Sequence, residues 1–141
     1  MDFGLSSEQE LVFQTALEFG QREIAPHTYA WEREGTIPRT VLRQAGGLGF
    51  GSLCVPAEQG GAGLTRLDAM FVYEALSAAC PSVAAFLSIH NMCVTMVAKY
   101  GTADLIERCL PPLLSLDAVA SYCLTEPNCG SDAAALRTRA E

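Results

Sequence analysis

The chain is short of charge, and shortest of positive charge. Lys and Arg together number 9 against 16 Asp and Glu, charged residues make up 18% of the 141, and the formal net charge is -7. A surface of that sign repels phosphate, which excludes nucleic acid as a partner and disfavours anionic lipid headgroups. The six cysteines (Cys54, Cys80, Cys93, Cys109, Cys123 and Cys129) contain no CxxC pair, and only His27 and His90 are there to complete a metal site. Their apolar neighbours mark them as buried, reduced thiols of a reducing compartment, and no metal site is expected. The opening MDFGLSSEQE has no basic region leading into an apolar run, and no Arg-rich transit segment is visible. No apolar stretch free of charge and breakers reaches about 18 residues, so no membrane span is expected. The glycines at 60 to 63 lack the following Lys-Ser/Thr of a P-loop. There is no internal repeat and no low-complexity tract.

Half of the residues are hydrophobic, enough for one domain with one core. Their spacing predicts helix after helix. Ser7 and Glu10 have capping-box spacing, and Leu11, Phe13, Leu17 and Ile24 recur at three- and four-residue steps behind them, to about Ala25 before Pro26. A short stretch around Trp31 closes at Gly35, and Pro38 opens another that stops at Gly46-Gly47. Residues 48–64 form a glycine-rich loop. Thr65 caps a helix carrying Leu67, Met70, Phe71, Glu74 and Leu76, which Cys80-Pro81 breaks. The stretch from Ser82 to Tyr100 is apolar on nearly all sides and belongs in the middle of a bundle. Gly101 stops it, Thr102 starts another helix with Leu105, Ile106 and Leu110, and Pro111-Pro112 interrupts that one.

The pattern changes at Ala118–Thr125, which is rich in β formers and predicts one strand. A lone strand lacks ladder partners, so the chain is expected to stop inside a larger architecture. The strand leads into Tyr122-Cys123-Leu124-Thr125-Glu126-Pro127-Asn128-Cys129-Gly130-Ser131-Asp132. Two readings stand for this segment. It is an ordinary turn with Asp132 capping a further helix, or its amides and the Thr125 and Ser131 hydroxyls meet a ligand that Gly130 lets approach closely.

This run resembles the flavin-contacting signature of the acyl-CoA dehydrogenases. Gly47-Leu48-Gly49-Phe50 through Pro56, followed by Gly60-Gly61-Ala62-Gly63-Leu64, resembles that family's helix-to-loop segment, and Glu-Ala-Leu at 74 to 76 fits as well. Ser88-Ile89-His90-Asn91-Met92-Cys93 and Ser121–Thr125 are most similar to the branched short-chain members. The resemblance covers nearly the whole chain but about the first third of a usual member.

The resemblance implies a mainly α fold: residues 1–116 as the amino-terminal helical bundle, and 117–141 as the opening strand and flavin-contacting loop of a middle β domain otherwise missing. It implies FAD, with Tyr122, Leu124, Thr125, Gly130 and Ser131 at the cofactor and Ser131 also at the substrate. It further implies an acyl-CoA substrate of short or branched chain, electron-transferring flavoprotein as redox partner, a homo-oligomer, and a place in fatty acid or branched-chain amino acid breakdown. The location would be the cytoplasm of a bacterium or a mitochondrial matrix. In the family a glutamate takes the α-proton while the β-hydride passes to flavin, and that base lies in a carboxy-terminal bundle. No catalytic residue is therefore expected here, and Glu126 reads as a structural loop residue. Asn128 and Cys129 depart from the small residues usual at their positions. The alternative to an enzyme part is a non-catalytic helical module, or a truncated isoform, that pairs with another subunit. His90 reads as a satisfied core histidine or a pocket-lining one, Glu74 as solvent-facing or a partner of a buried polar group, and Met92 and Met96 as core.

Overall fold

A computed structural model describes residues 4–139; Met1–Phe3, part of the opening in which no leader was expected, and residues 140–141 of the expected 117–141 segment lie outside them. Among the described residues six α-helices carry the fold: α1 (Ser7–Phe19), α2 (Thr28–Glu34), α3 (Arg39–Gly47), α4 (Arg66–Ala79), α5 (Pro81–Tyr100) and α6 (Ala103–Leu114). α1 packs on α4, α4 on α5, and α5 on α6.

The helix starts follow from capping chemistry. Ser6, not Ser7, caps α1: its Oγ accepts the Gln9 amide at 3.2 Å and its own amide donates to Gln9 Oε1 at 3.0 Å. The box therefore sits one residue ahead of the predicted one. Thr65 and Asp68 form the same box at α4. Gln9 Nε2 donates to Asp68 Oδ1 at 2.9 Å, so the two boxes are joined and the two helices begin side by side. Beyond Phe19 the path continues as a wider π turn (Gly20–Ile24) and a 3-10 turn (Ala25–His27). There Gly20 faces the end of α4, where a Cβ would meet Ala79 Cβ at 3.1 Å.

Two apolar clusters make the core. The larger joins Ala16, Phe19, Leu42, Ala45, Phe50, Leu53, Val72, Leu76 and Leu87 across α1, α3, α4 and the first half of α5. The smaller joins Val55, Val94, Ala98, Leu110 and Leu113 between α5 and α6. The buried face of α4 is built from Ala69, Val72, Ala75 and Leu76, while Leu67 and Met70 point to solvent, as Leu11 does on α1. Glu74 is exposed. Met92 and Met96, expected in the core, are 36% and 41% exposed, because α4 and α6 cover only part of the apolar circumference of α5. By length and composition alone α5 is apolar enough to cross a membrane, a test that the buried core helix of a bundle also passes. Its Val83, Leu87 and Val94 are buried in the two clusters, which is the pattern of a core helix.

α6 runs through Pro111 and Pro112 to Leu114, where an interruption was expected. The helix lacks two amide bonds there, but Leu110 and Leu113 on either side are buried. The Pro111 and Pro112 carbonyls still accept the amides of Ser115 and Ala118 at 3.3 and 2.8 Å. After α6 the chain turns at buried Leu116 (φ 59°). Asp117 is pinned beside α3: Arg43 Nε lies 2.8 Å from its Oδ1, and Arg39 Nη2 donates to its carbonyl at 3.2 Å.

The predicted strand at 118–125 does not form a ladder among the described residues; the one β pairing there is the Glu126–Cys129 bridge. The mainly helical fold holds, and the β-rich composition of this segment goes unused because no neighbouring strand meets it.

Candidate functional site

The segment from Tyr122 to Asp132 closes into a tight turn. Glu126 N–H donates to Cys129 O at 2.9 Å and Cys129 N–H returns a bond to Glu126 O at 3.1 Å. Pro127 and Asn128 span the turn, where the fixed φ of proline is favourable. Cys129 is buried, and its Sγ–H donates to Asp132 O at 3.0 Å. The Cys129 side chain is thus turned inward. The other buried thiol is Cys93; Cys54, Cys80 and Cys109 are partly buried and Cys123 is exposed, so the cysteines are less uniformly interior than expected, and all six are free. Burial raises the pKa of Cys93 and Cys54.

Glu126 has a structural task. Its carboxylate accepts the amides of Arg137 and Thr138 at 2.9 and 2.8 Å, and also the Thr138 hydroxyl. The Thr138 hydroxyl, then these two amides, hold its pKa below the usual carboxylate value. A carboxylate so engaged is poorly suited to take a proton from a substrate. Asp132 caps no true helix: one 3-10 turn (Ala133–Ala135) follows, without a side-chain cap bond.

The bridge puts Thr125 and Gly130 on its two flanks. Tyr122, Thr125, Gly130 and Ser131 are exposed and Leu124 is half-buried. The Thr125 and Ser131 hydroxyls make no hydrogen bond to described residues, and a Cβ at Gly130 would meet nothing within 4 Å. The predicted residues therefore lie on one short, closed loop that offers donors to solvent. Among the described residues no group of three or more His, Cys, Asp or Glu is placed to hold a metal ion.

Behind the loop stand two buried polar neighbours on α5. His90 is fully buried; Nε2 lies 3.0 Å from Leu113 O, and Nδ1 accepts the Ala120 amide at 3.1 Å. A carbonyl only accepts and an amide only donates, so the ring is neutral with its proton on Nε2. Burial pushes its pKa below the ordinary histidine value. This is the satisfied core histidine of the two readings. Asn91, which residue patterns alone did not single out, donates to Phe50 O at 2.8 Å and Leu87 O at 2.9 Å and accepts from Leu53 N at 2.7 Å. It staples the glycine-rich loop to α5; a second polar residue beside His90 on an apolar helix was the available signal. The loop itself is a packing device, since a Cβ at Gly61 would fall 2.2 Å from Val55 O.

Two grooves open on the bundle. One, of about 540 Å³, is lined by Trp31, Ile37, Arg39, Phe86 and Val119 among others. The other, about 470 Å³, runs along the exposed side of α5 past Tyr73, Met92, Met96 and Tyr100.

Comparison with known proteins agrees with the helical fold. Residues 6–117 match the family model described as "Acyl-CoA dehydrogenase, N-terminal domain". The chain is 46% identical over 137 residues to the mitochondrial isobutyryl-CoA dehydrogenase of Bos taurus, covering 97% of this chain and 33% of that protein. Butyryl-CoA dehydrogenase from Megasphaera elsdenii superposes with a TM-score of 0.84 at 27% identity, covering 98% of this chain and 37% of that one. The FAD complex of PigA superposes with a TM-score of 0.86 at 26% identity, covering 94% and 36%. The chain thus spans about a third of the length of the curated relatives it matches. With the family model covering most of its length and the helical order shared, the chain belongs to the acyl-CoA dehydrogenase family and corresponds to its N-terminal domain.

Proposed function

We propose that this chain is the amino-terminal part of a flavin-dependent dehydrogenase of short or branched acyl-CoA thioesters, with residues 1–116 as its helical domain and 117–141 as the start of a flavin-binding β domain. The observation that carries the reading is the closed Glu126–Cys129 turn, which holds the signature residues Tyr122, Leu124, Thr125, Gly130 and Ser131 together with their polar groups open to solvent. Two observations favour a fit to FAD: the outward hydroxyls of Thr125 and Ser131, and the clear space over Gly130, where a flat ring can approach the backbone. The PigA relative is described with FAD.

Flavin supplies hydride acceptance when bound. The residues of this chain orient it. Thr125 and Ser131 donate hydrogen bonds, Tyr122 and Leu124 give apolar contact, and Ser131 also meets the thioester substrate. Glu126 keeps the loop closed. No side chain in these 141 residues takes the role of base, so the chain alone is inactive toward acyl-CoA. In the assembled enzyme the redox partner is an electron-transferring flavoprotein and the state is homo-oligomeric. The location is the mitochondrial matrix if the source is eukaryotic, in keeping with the Bos taurus relative, and the cytoplasm if it is bacterial.

The test is a chimera in which residues 1–141 replace the corresponding third of the Bos taurus isobutyryl-CoA dehydrogenase. A yellow protein that reduces dye with isobutyryl-CoA is expected, and no turnover by the 141-residue chain alone. A folded but colourless chimera would sink the reading.

The exposed Ile89, Met92 and Met96 on α5 favour a second reading, a non-catalytic module that pairs with another subunit. A dimer in size-exclusion chromatography that is indifferent to FAD supports it.

A further inference from the structure

We propose that His90 is a positioning residue for the flavin-contacting turn: its imidazole ties the Ala120 amide to the helical bundle and fixes the point from which residues 121–131 depart. The functional half of this statement rests on the flavin reading above.

The geometry is that of a latch between separate parts of the chain. One ring nitrogen is engaged by Leu113 at the end of α6, the other by Ala120 on the departing segment. Residues 117–120 are tied down one after another: Asp117 by Arg39 and Arg43, Ala118 by the Pro112 carbonyl, Val119 by packing against the larger cluster, and Ala120 by His90. Past Ala120 no described residue bonds the backbone of 121–125 to the helices, and the next closure is the Glu126–Cys129 turn. His90 therefore provides the last fixed point before Thr125. Without it the last hydrogen-bonded anchor moves back to Ala118, and Val119 and Ala120 are held by apolar packing alone.

The two bonds can be cut separately. Asparagine places its amide oxygen near the position of Nδ1 and keeps an acceptor for Ala120, whereas glutamine places its amide nitrogen near Nε2 and keeps a donor for Leu113. The experiment follows backbone amide exchange and FAD-induced amide shifts in the ¹⁵N-labelled 141-residue chain, for wild type, His90→Asn and His90→Gln. The expected result is faster exchange at Ala120 by roughly tenfold in His90→Gln but not in His90→Asn. FAD-induced shifts at Thr125–Ser131 should survive in His90→Asn and shrink in His90→Gln. Equal Ala120 exchange in all three proteins overturns the latch. A lost latch with undiminished FAD shifts overturns the positioning role. Ala120 exchange as expected, with no FAD shift at the turn in wild type, overturns the flavin reading and the positioning role with it, while the latch stands. Should His90→Gln fail to fold by far-UV circular dichroism, His90→Leu, which also lacks an acceptor at the Nδ1 position, takes its place beside His90→Asn and the same outcomes decide.

Discussion

Asn91 on α5 accepts the amide of Leu53 at 2.7 Å, across 38 residues of sequence and out of reach of water. Its amino group meanwhile serves the Phe50 and Leu87 carbonyls. One side chain thus satisfies three buried backbone groups, two of them on the loop that carries Phe50, Leu53 and Val55 into the core. Removing it leaves the Phe50 carbonyl and the Leu53 amide without partners, while the Leu87 carbonyl keeps its bond within α5. Asn91→Ala should lower the stability of the chain by about 3 kcal/mol, since each orphaned buried group costs about 1–3 kcal/mol. Asn91→Asp should do little better, because a carboxylate cannot donate to Phe50 and Leu87. Urea unfolding followed by Trp31 fluorescence gives the number; a loss within the range of ordinary surface substitutions would mean that the loop is held otherwise.

His90 makes stability depend on pH in a defined window. The folded ring must be neutral to accept from Ala120, and burial lowers its folded pKa below the unfolded value near 6.5. The unfolded chain therefore binds the proton first. The contribution is fully present above about pH 6.5 and declines as pH falls from there through the folded pKa. Asp68 and Glu126 are held below their ordinary values, by the Thr65 hydroxyl first in one case and the Thr138 hydroxyl first in the other. Their contributions fade only below about pH 4. Denaturant midpoints measured between pH 7.5 and pH 5 should fall for the wild type and stay flatter for His90→Asn. Parallel curves for the two proteins would show that His90 does not set this slope.

Local punctuation was legible in the sequence because its physics is local. Thr65, Gly35 and Gly101 end or begin helices where their spacing says, and the Cys80-Pro81 break separates α4 from α5. The turn carrying Thr125 to Ser131 was legible from the order of its residues. What failed needed a neighbour. Ser6 and Ser7 each stand three residues ahead of a Gln or Glu, so both boxes were available, and the choice is made by the face that brings Ala16 and Phe19 against α4. Leu67 and Met70 outweigh Ala69 and Ala75 in any count of hydrophobicity, yet the alanines face inward, since small side chains let α1 and α4 approach closely. The β formers at 118–125 lack a ladder for the same reason: strand propensity acts only when a partner edge is present.

The joined capping boxes give a further expectation. Thr65→Ala removes a side-chain acceptor for the Asp68 amide and should cost about 1 kcal/mol. Gln9→Ala removes both the Ser6 amide bond and the link to Asp68. A double-mutant cycle on Gln9 and Asp68 should show a coupling of about 0.5 kcal/mol or more, because the two residues share a hydrogen bond between helices. Additive effects would mean that the two helix starts are held together by apolar packing alone.

Two glycines separate stability from binding. A Cβ at Gly46 would fall 2.1 Å from the Ser115 carbonyl oxygen and 2.5 Å from its carbon, so α3 and the turn after α6 must part to admit it. Gly46→Ala should destabilise the chain by about 1–3 kcal/mol, the range typical of overpacking. At Gly130 the same methyl meets nothing within 4 Å, and Gly130→Ala should leave stability within about 0.5 kcal/mol of wild type. If the flavin ring lies against this backbone, the added methyl instead stands between ring and chain, and FAD affinity should fall several-fold with the fold intact. Thermal melts and FAD titrations on both variants read the two quantities side by side. A Gly130→Ala protein that binds FAD as well as wild type would move the point of close approach away from residue 130.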